Sequence, residues 1–547
     1  MTKRYVRLAL VLAGAIVLYT VDLGRAPIYL HEAEVLFALH AQSIATTLHD
    51  TNGRLLPLYF QMPQIGANVW FHPMIVYAMV PFLAVLPLSE FAIRLPSVFV
   101  GLVDITLVYF IAARLFRSER WALLAAALLV LTPSHFIHSR VAMDYLYPVP
   151  FVLGWLLGLQ LFLARRDRRL LFVATSCLGV GFYSYIASVG MMPLYLLMTL
   201  AVVWLEGDTS FRSSAVAIAG FTWPLVLLIW IVFHPAFVAQ TAARYQVGQS
   251  APPGHAAGAP LSVVLEDLRN VARFSPVTGR ISLYWYFFDP SYLFVTGGYA
   301  NAVNSVRHVG VFPAPFAVLL PVGLVALLAV PGAIVDRLVV AGFATAPLVA
   351  CLVVPEPYAI DRELALLPFG VLAAVAGARF LQGTRRRVWR AAAVVLLAAV
   401  PAHFAFFLYD YYRDYPPHAA FWFNWNRRGA METLLALDDR QRAPAIYIST
   451  HHVTYIDAYW RLYLIKHKRE ELLRRTIYFD SDGFDVSAVP PGALLLTGID
   501  DTSLNPAIET GRLRRVTAIA EPGNPPSFFI LEAAGARAGS AASVPAS

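Results

Sequence analysis

The stretch Tyr29–Gln42, YLHEAEVLFALHAQ, places two carboxylates, Glu32 and Glu34, and two histidines, His31 and His40, just past an apolar run. His49, Asp50, Arg54 and His72 follow within the same polar segment. A second short segment, SRVAMDY, carries Arg140 and Asp144. A third holds Arg244, Arg273, Arg280 and the aromatic run YWYFFDPSYLF, which includes Tyr284. A fourth, PEPYAIDREL, brings Glu356, Asp361 and Arg362. Carboxylates can take a proton from an attacking hydroxyl. Arginine meets phosphate through a planar fork of donors. Together with aromatic residues, these groups suit an anionic, sugar-bearing lipid. Each residue also has a plainer use. Loop carboxylates stay hydrated, His40 and His49 read as ordinary loop residues, and Arg94 in SEFAIRLPS can cap or anchor a helix end. His31, Glu34 and His72 could meet at a metal, but no HExxH-like spacing supports it.

The elements that position these groups are set by the solvent. Of 547 residues, 58% are hydrophobic and 14% charged, against about 45–50% and about 25% in soluble domains. Repeated apolar runs are long enough for a bilayer core of roughly 30 Å, so the chain reads as a polytopic membrane protein. Cys177 and Cys351 both fall in apolar runs and read as buried thiols, not as a disulfide framework. The net charge of +8 belongs mainly to loops, and nucleic acid is not an expected partner.

Lysine and arginine bias orients the chain. MTKRYVR followed by Leu8–Leu23 reads as an uncleaved first helix with a cytoplasmic N-terminus. If the short, proline-bearing run Pro73–Leu88 lies along the outer surface, the clusters Arg114/Arg117/Arg120, Arg165/Arg166/Arg168/Arg169, Arg337 and Arg385/Arg386/Arg387/Arg390 all become cytoplasmic. About eleven spans follow, near 8–24, 94–113, 121–138, 148–164, 170–187, 190–205, 213–236, 311–332, 338–354, 364–380 and 391–409. The expected architecture is mainly α. A transmembrane bundle over 1–409 has outer loops at 24–93, 139–147 and 237–310, with surface helices in the first. A small extracytoplasmic α/β domain over 410–535 and a disordered tail at 536–547 complete it. APAIYIST and GALLLTGI read as strands, and HVTYIDAYWRLYLIKHKREELLRR as amphipathic helix.

Several blocks resemble a known family in their order: EVLFALHAQSIATTLHDTNGRLLPLYF, WFHPMIVY, SEFAIRLPSVFVG, HSRVAMDY, GVGFYSYIAS and YFFDPSYLFVTGG. Over roughly residues 8–410 they resemble bacterial relatives of protein O-mannosyltransferases and of the lipid A aminoarabinose transferase. These are integral-membrane glycosyltransferases of the C fold class that use polyprenyl-phosphate sugars. The family's first outer loop carries an adjacent Asp-Glu pair, with the Asp as general base. Here one register puts Ala33 and Glu34 on that pair and another puts His31 and Glu32 on it; neither supplies the Asp. The resemblance therefore assigns Glu34 to the site, with Glu32 as a substitute base. It places Asp144 at the second outer-loop acid and Arg94 at the Arg of the RLPS block. His72 falls where relatives carry a basic residue before Pro, and Arg362 at the residue that holds the lipid phosphate. Asp50 falls at an acid of an Asp-x-x-Gly turn, where structural and functional roles are both open.

The resemblance implies sugar transfer from an undecaprenyl-phosphate-type donor to an acceptor hydroxyl of a lipid, glycan or protein. The expected place is the outer face of a bacterial inner membrane. Arg94, Arg140, Arg362 and His72 would serve the donor phosphate, with Tyr284 beside sugar or lipid. No cofactor is called for, and a divalent cation is compatible with this reading. A non-catalytic relative, a lipid-linked sugar transporter or flippase, and a lipid-linked polysaccharide polymerase are the alternatives. Apart from Asp104 the expected spans are nearly free of charge, whereas a transporter favours charged or broken helices at mid-membrane.

Overall fold

The computed structural model describes residues 2–64, 67–234, 282–298, 302–329, 334–353, 357–451 and 453–534. Arg244, Arg273, Arg280, Glu356 and the tail expected to be disordered lie outside them. The chain forms two compact units. One comprises residues 1–24, 40–85 and 91–415; the other comprises 25–39, 86–90 and 416–547.

The first unit is helical. Seven helical stretches among the described residues are long and apolar enough to cross a membrane: Glu90–Leu115, Asp144–Arg165, Ser188–Leu205, Phe211–Ile231, Ile334–Cys351, Leu366–Gly383 and Arg387–Arg413. Tyr5–Thr20, Met74–Val85 and Phe316–Ala329 are shorter apolar helices. At 1.5 Å per residue, Met74–Val85 is only about 18 Å long, short of the roughly 30 Å hydrocarbon core. Proline redraws two expected boundaries. The run expected at 121–138 divides into helices Glu119–Val130 and Pro133–His138 at Pro133. The run expected at 213–236 passes from α-helix into a 3-10 turn at Trp223–Leu228, where Pro224 removes a backbone donor.

We label the elements used below α1 (Thr2–Thr20), α2 (Glu32–Thr47), α3 (Glu90–Leu115), α4 (Val149–Arg165), α5 (Phe316–Ala329) and α6 (Leu366–Gly383). Small residues set how closely the helices approach. A Cβ at Gly323 of α5 would collide with the Ala373 carbonyl of α6, and one at Gly377 with the Leu319 carbonyl. The two backbones are thus in direct contact, as membrane helices permit where glycines face each other.

The second unit centres on a five-stranded mixed sheet. Its strands are β1 (Ile446–Ser449), β2 (Thr476–Phe479), β3 (Leu494–Gly498), β4 (Leu513–Glu521) and β5 (Asn524–Ala533), ordered β2-β1-β3-β5-β4. The β2-β1-β3 part is parallel and the β3-β5-β4 part antiparallel. The burial of β1 and β3 explains their unbroken apolar runs. Helices α7 (Arg427–Gln441) and α8 (Ile456–His467) belong to the same unit. The expected strands and amphipathic helix are present, so the unit is α/β. Its core joins Tyr447, Phe479, Leu495, Leu513 and Leu531.

Candidate functional site

In the first unit, two turns entering spans bring the chemistry together. Asp144 opens a 3-10 turn, Asp144–Leu146, just before α4, and Ile360–Arg362 forms another just before α6. These turns pack on each other. Arg362 donates from Nη1 to the Tyr185 hydroxyl, pairs with Asp361 at 3.1 Å and lies 5.5 Å from the Tyr145 ring centre. The Tyr145 and Tyr185 rings meet edge to face at 5.6 Å. Burial opposes the Arg362 cation, but Tyr185 and Asp361 outweigh it and hold the guanidinium firmly charged. Asp144 is buried, and its charge acts on Tyr185. The geometry is a half-buried cation framed by two phenols and Asp361, with the Asp144 turn packed alongside.

Beside it lies a group the sequence reading missed. Glu363 is 2% exposed, and neither carboxyl oxygen has a hydrogen-bond partner; nor does the hydroxyl of Tyr195, on which its charge acts, as it does on Tyr292. Burial, then the charge of Asp361, pushes the Glu363 carboxyl well above the usual range. The sequence signal was present in the DRE triplet, but a third charge beside two others reads as one more wet loop residue.

The remaining candidates in this unit are built into its frame. Arg140 donates to the carbonyls of Leu18, Tyr19 and Val21 at 3.3, 2.8 and 2.7 Å, and Arg94 donates to Leu23 at 3.2 Å. Both cations meet carbonyls at and beyond the end of α1, where a helix carries partial negative charge. Asp50 accepts from the backbone of Asn52 and Arg54 and takes a two-pronged contact from the Arg54 guanidinium at 2.9 and 2.6 Å. It anchors a turn whose Gly53 has φ +77°. His72 packs edge to face on Tyr59, at 5.3 Å between ring centres. The Tyr284 hydroxyl donates to the Ala344 carbonyl at 2.8 Å.

In the second unit, the opening stretch proves to be a helix start. The Glu34 carboxylate accepts the backbone N–H of His31 at 2.9 Å, and His31 Nδ1 accepts the N–H of Ala33 at 3.2 Å. This is a capping box with histidine in the place of serine or threonine. Because Nδ1 accepts, the imidazole proton sits on Nε2, which donates to Glu32 at 3.1 Å. Burial lowers the His31 pKa against the pull of Glu32 and Glu34, keeping the ring neutral at pH 7. Glu32 also accepts from the Asn424 amide. Buried Arg427 lies 4.6 Å from the Tyr459 ring centre, donates to the Thr454 carbonyl at 2.6 Å and acts electrostatically on His31. The Tyr459 hydroxyl donates to the Leu30 carbonyl at 2.7 Å. Asn424, Arg427 and Tyr459 were not singled out in the sequence, because they lie far along the chain from Glu32. Among the described residues, no group of three or more His, Cys, Asp or Glu side chains is arranged to hold a metal ion.

Residues 72–233 match the model of the dolichyl-phosphate-mannose-protein mannosyltransferase family. The chain resembles the polyprenyl-phosphate glycosyltransferases. Its fold is similar to that of ArnT from Cupriavidus metallidurans bound to undecaprenyl phosphate, with a TM-score of 0.56 and 13% identity over 95% of this chain and 97% of that one. The apo state of ArnT gives a TM-score of 0.53 and 14% identity over the same shares. At such identities the likeness shows the fold: a multi-pass helical membrane unit with a small α/β unit. Among curated proteins none matches the sequence.

Proposed function

We propose that this chain is an integral-membrane glycosyltransferase that moves a sugar from a polyprenyl-phosphate donor to an acceptor hydroxyl, on the periplasmic face of a bacterial inner membrane. The observation that carries the reading is the half-buried, charged Arg362, held by Tyr185 and Asp361 on a turn that packs against the Asp144 turn where two spans begin. A fixed guanidinium is suited to hold the donor phosphate and to stabilise its charge as the glycosidic bond breaks. The family match over residues 72–233 and the ArnT-like fold support the same chemistry.

In this reading the acceptor hydroxyl attacks the anomeric carbon, a carboxylate receives its proton, and the lipid phosphate leaves toward Arg362. Single displacement inverts the anomeric centre. Asp144 shares the Arg362 cluster; Glu32 and Glu34 are the first-loop candidates for the base. The sugar faces a site with hydrogen-bonding capacity to spare at Glu363.

The test uses purified protein in nanodiscs, radiolabelled polyprenyl-phosphate sugars and an envelope extract as acceptor pool. Label is expected to pass to an acceptor with wild type and to drop at least a hundredfold with one of Glu32→Gln, Glu34→Gln or Asp144→Asn. Chelation by EDTA in the same assay reads any need for a divalent cation. Donor binding without transfer across a broad sugar and acceptor panel would overturn the enzymatic reading in favour of a binding protein.

A further inference from the structure

A cavity of about 1770 Å³ lies in the first unit, lined by the C-terminal ends of α3, α4 and α6. Helices α4 and α6 begin just after the Asp144 and Arg362 turns and run 17 and 18 residues to this cavity, or roughly 25 Å at 1.5 Å per residue. It is therefore separate from the candidate active site, by most of a membrane thickness.

Its walls have the character of an amphiphile's host. Phe110, Leu157, Leu161 and Phe380 supply apolar surface, and Arg114, Arg117, Arg165 and Arg379 supply positive charge. Two of the three carboxylates in the lining are neutralised elsewhere: Glu119 by Arg7 at 3.3 Å and Glu206 by Arg166 at 2.9 Å. The third, Asp336, faces Arg379. Arg114 and Arg165 remain close enough for their like charges to repel. Gln160 also lines the space; it is 5% exposed, and its side-chain oxygen and nitrogen both lack a hydrogen-bond partner. An orphaned buried amide is costly, so a partner is expected there. The volume exceeds the roughly 300–1,000 Å³ of small-molecule sites and matches a molecule with acyl chains.

We propose that this cavity binds an anionic two-chain phospholipid, with its phosphate on Arg114 and Arg165, its glycerol ester region on Gln160 and its chains along the apolar wall. Basic pockets between membrane helices are suited to such headgroups. The bilayer supplies this lipid, so the site is distinct from any polyprenyl-phosphate donor site and stands whether or not the chain transfers sugar.

The test is native mass spectrometry of the full chain released from nanodiscs containing phosphatidylglycerol and phosphatidylcholine in equal amounts, with undecaprenyl phosphate as a competitor arm. Wild type is expected to retain phosphatidylglycerol about tenfold over phosphatidylcholine. The double variant Arg114→Gln, Arg165→Gln should bring that ratio near one, and Gln160→Leu should lower it severalfold. Equal retention of the two lipids by wild type would overturn the proposal, as would displacement of phosphatidylglycerol by equimolar undecaprenyl phosphate. Should the double variant prove unstable, the wild-type ratio and Gln160→Leu decide the matter; an unchanged ratio in a folded variant would also refute it.

Discussion

Arg362 and Glu363 are neighbours in sequence with opposite electrostatic situations. Arg362 is half-buried, with the oxygens of Tyr185 and Asp361 beside it, so its charge is sustained. Glu363 is buried beside the charge of Asp361, with no hydrogen-bond partner for its carboxyl oxygens, so its charge is disfavoured. Replacing Arg362 with Lys keeps a positive charge but loses the fork; replacing it with Ala loses both. Hydrogen bonds to charged groups contribute about 1.5–3 kcal/mol, so Arg362→Ala should weaken polyprenyl-phosphate binding roughly ten- to a hundredfold, with Arg362→Lys in between. Titration by native mass spectrometry measures both. For Glu363 the unfolded chain ionises near the ordinary value of 4.5 while the folded chain keeps the proton. Folding therefore loses stability as pH rises above that value toward the raised folded pKa. Glu363→Gln removes this dependence, so its thermal midpoint should exceed wild type by more at pH 8 than at pH 5. Equal gains at both values would show that the carboxyl ionises normally.

At the scale of elements, α2 shows what a motif can hide. The sequence reads YLHEAEVLFALHAQ as acids waiting for a substrate, yet Glu34 closes the helix start by accepting the His31 N–H. The capping role and a catalytic role can be separated. Glu34→Gln keeps an oxygen to accept that N–H but removes the base, whereas Glu34→Ala removes both. Cap loss costs about 0.5–2 kcal/mol. Thermal unfolding should therefore place Glu34→Gln near wild type and Glu34→Ala measurably lower, and transfer should fall in both if Glu34 is the base. The same scale shows what local sequence does reveal. Apolar length marked the spans, and short unbroken apolar runs marked β1 and β3, because each signal is written within one element. The breaks at Pro133 and Pro224 were written there too, as single residues inside longer apolar runs. The partners of Glu32, by contrast, come from α7, α8 and the segment before α7, and nothing in the first loop specifies them.

At the scale of the molecule, the second unit is not a severable tail. It joins three segments far apart in sequence, and the joins are specific. Glu90 receives Lys466 at 3.0 Å and the Tyr463 hydroxyl at 2.9 Å, and Tyr29 donates to Glu521 at 2.7 Å. The sequence places a domain after residue 410, which is where its sheet lies, but the 25–39 and 86–90 segments could not be assigned to it by composition. An isolated 416–547 fragment should therefore leave Tyr459, Tyr463 and Lys466 exposed. Hydrogen exchange at α8 should show little protection in that fragment and full protection in the intact chain. A hydrogen bond to a charged group contributes about 1.5–3 kcal/mol, so Lys466→Met, which removes those to Glu90, should lower the stability of the whole unit. Native-like protection in the fragment would show that the early segments are dispensable.

This discontinuity also dictates an order of events during synthesis. Glu32 and Glu34 leave the ribosome long before Asn424, Arg427 and Tyr459. At about 5–20 residues per second, the interval between Leu39 and Pro416 lasts on the order of a minute. A nascent chain carries the acids without the groups that fix them until α8 has been made, so synthesis of that later segment is itself a checkpoint on the first loop.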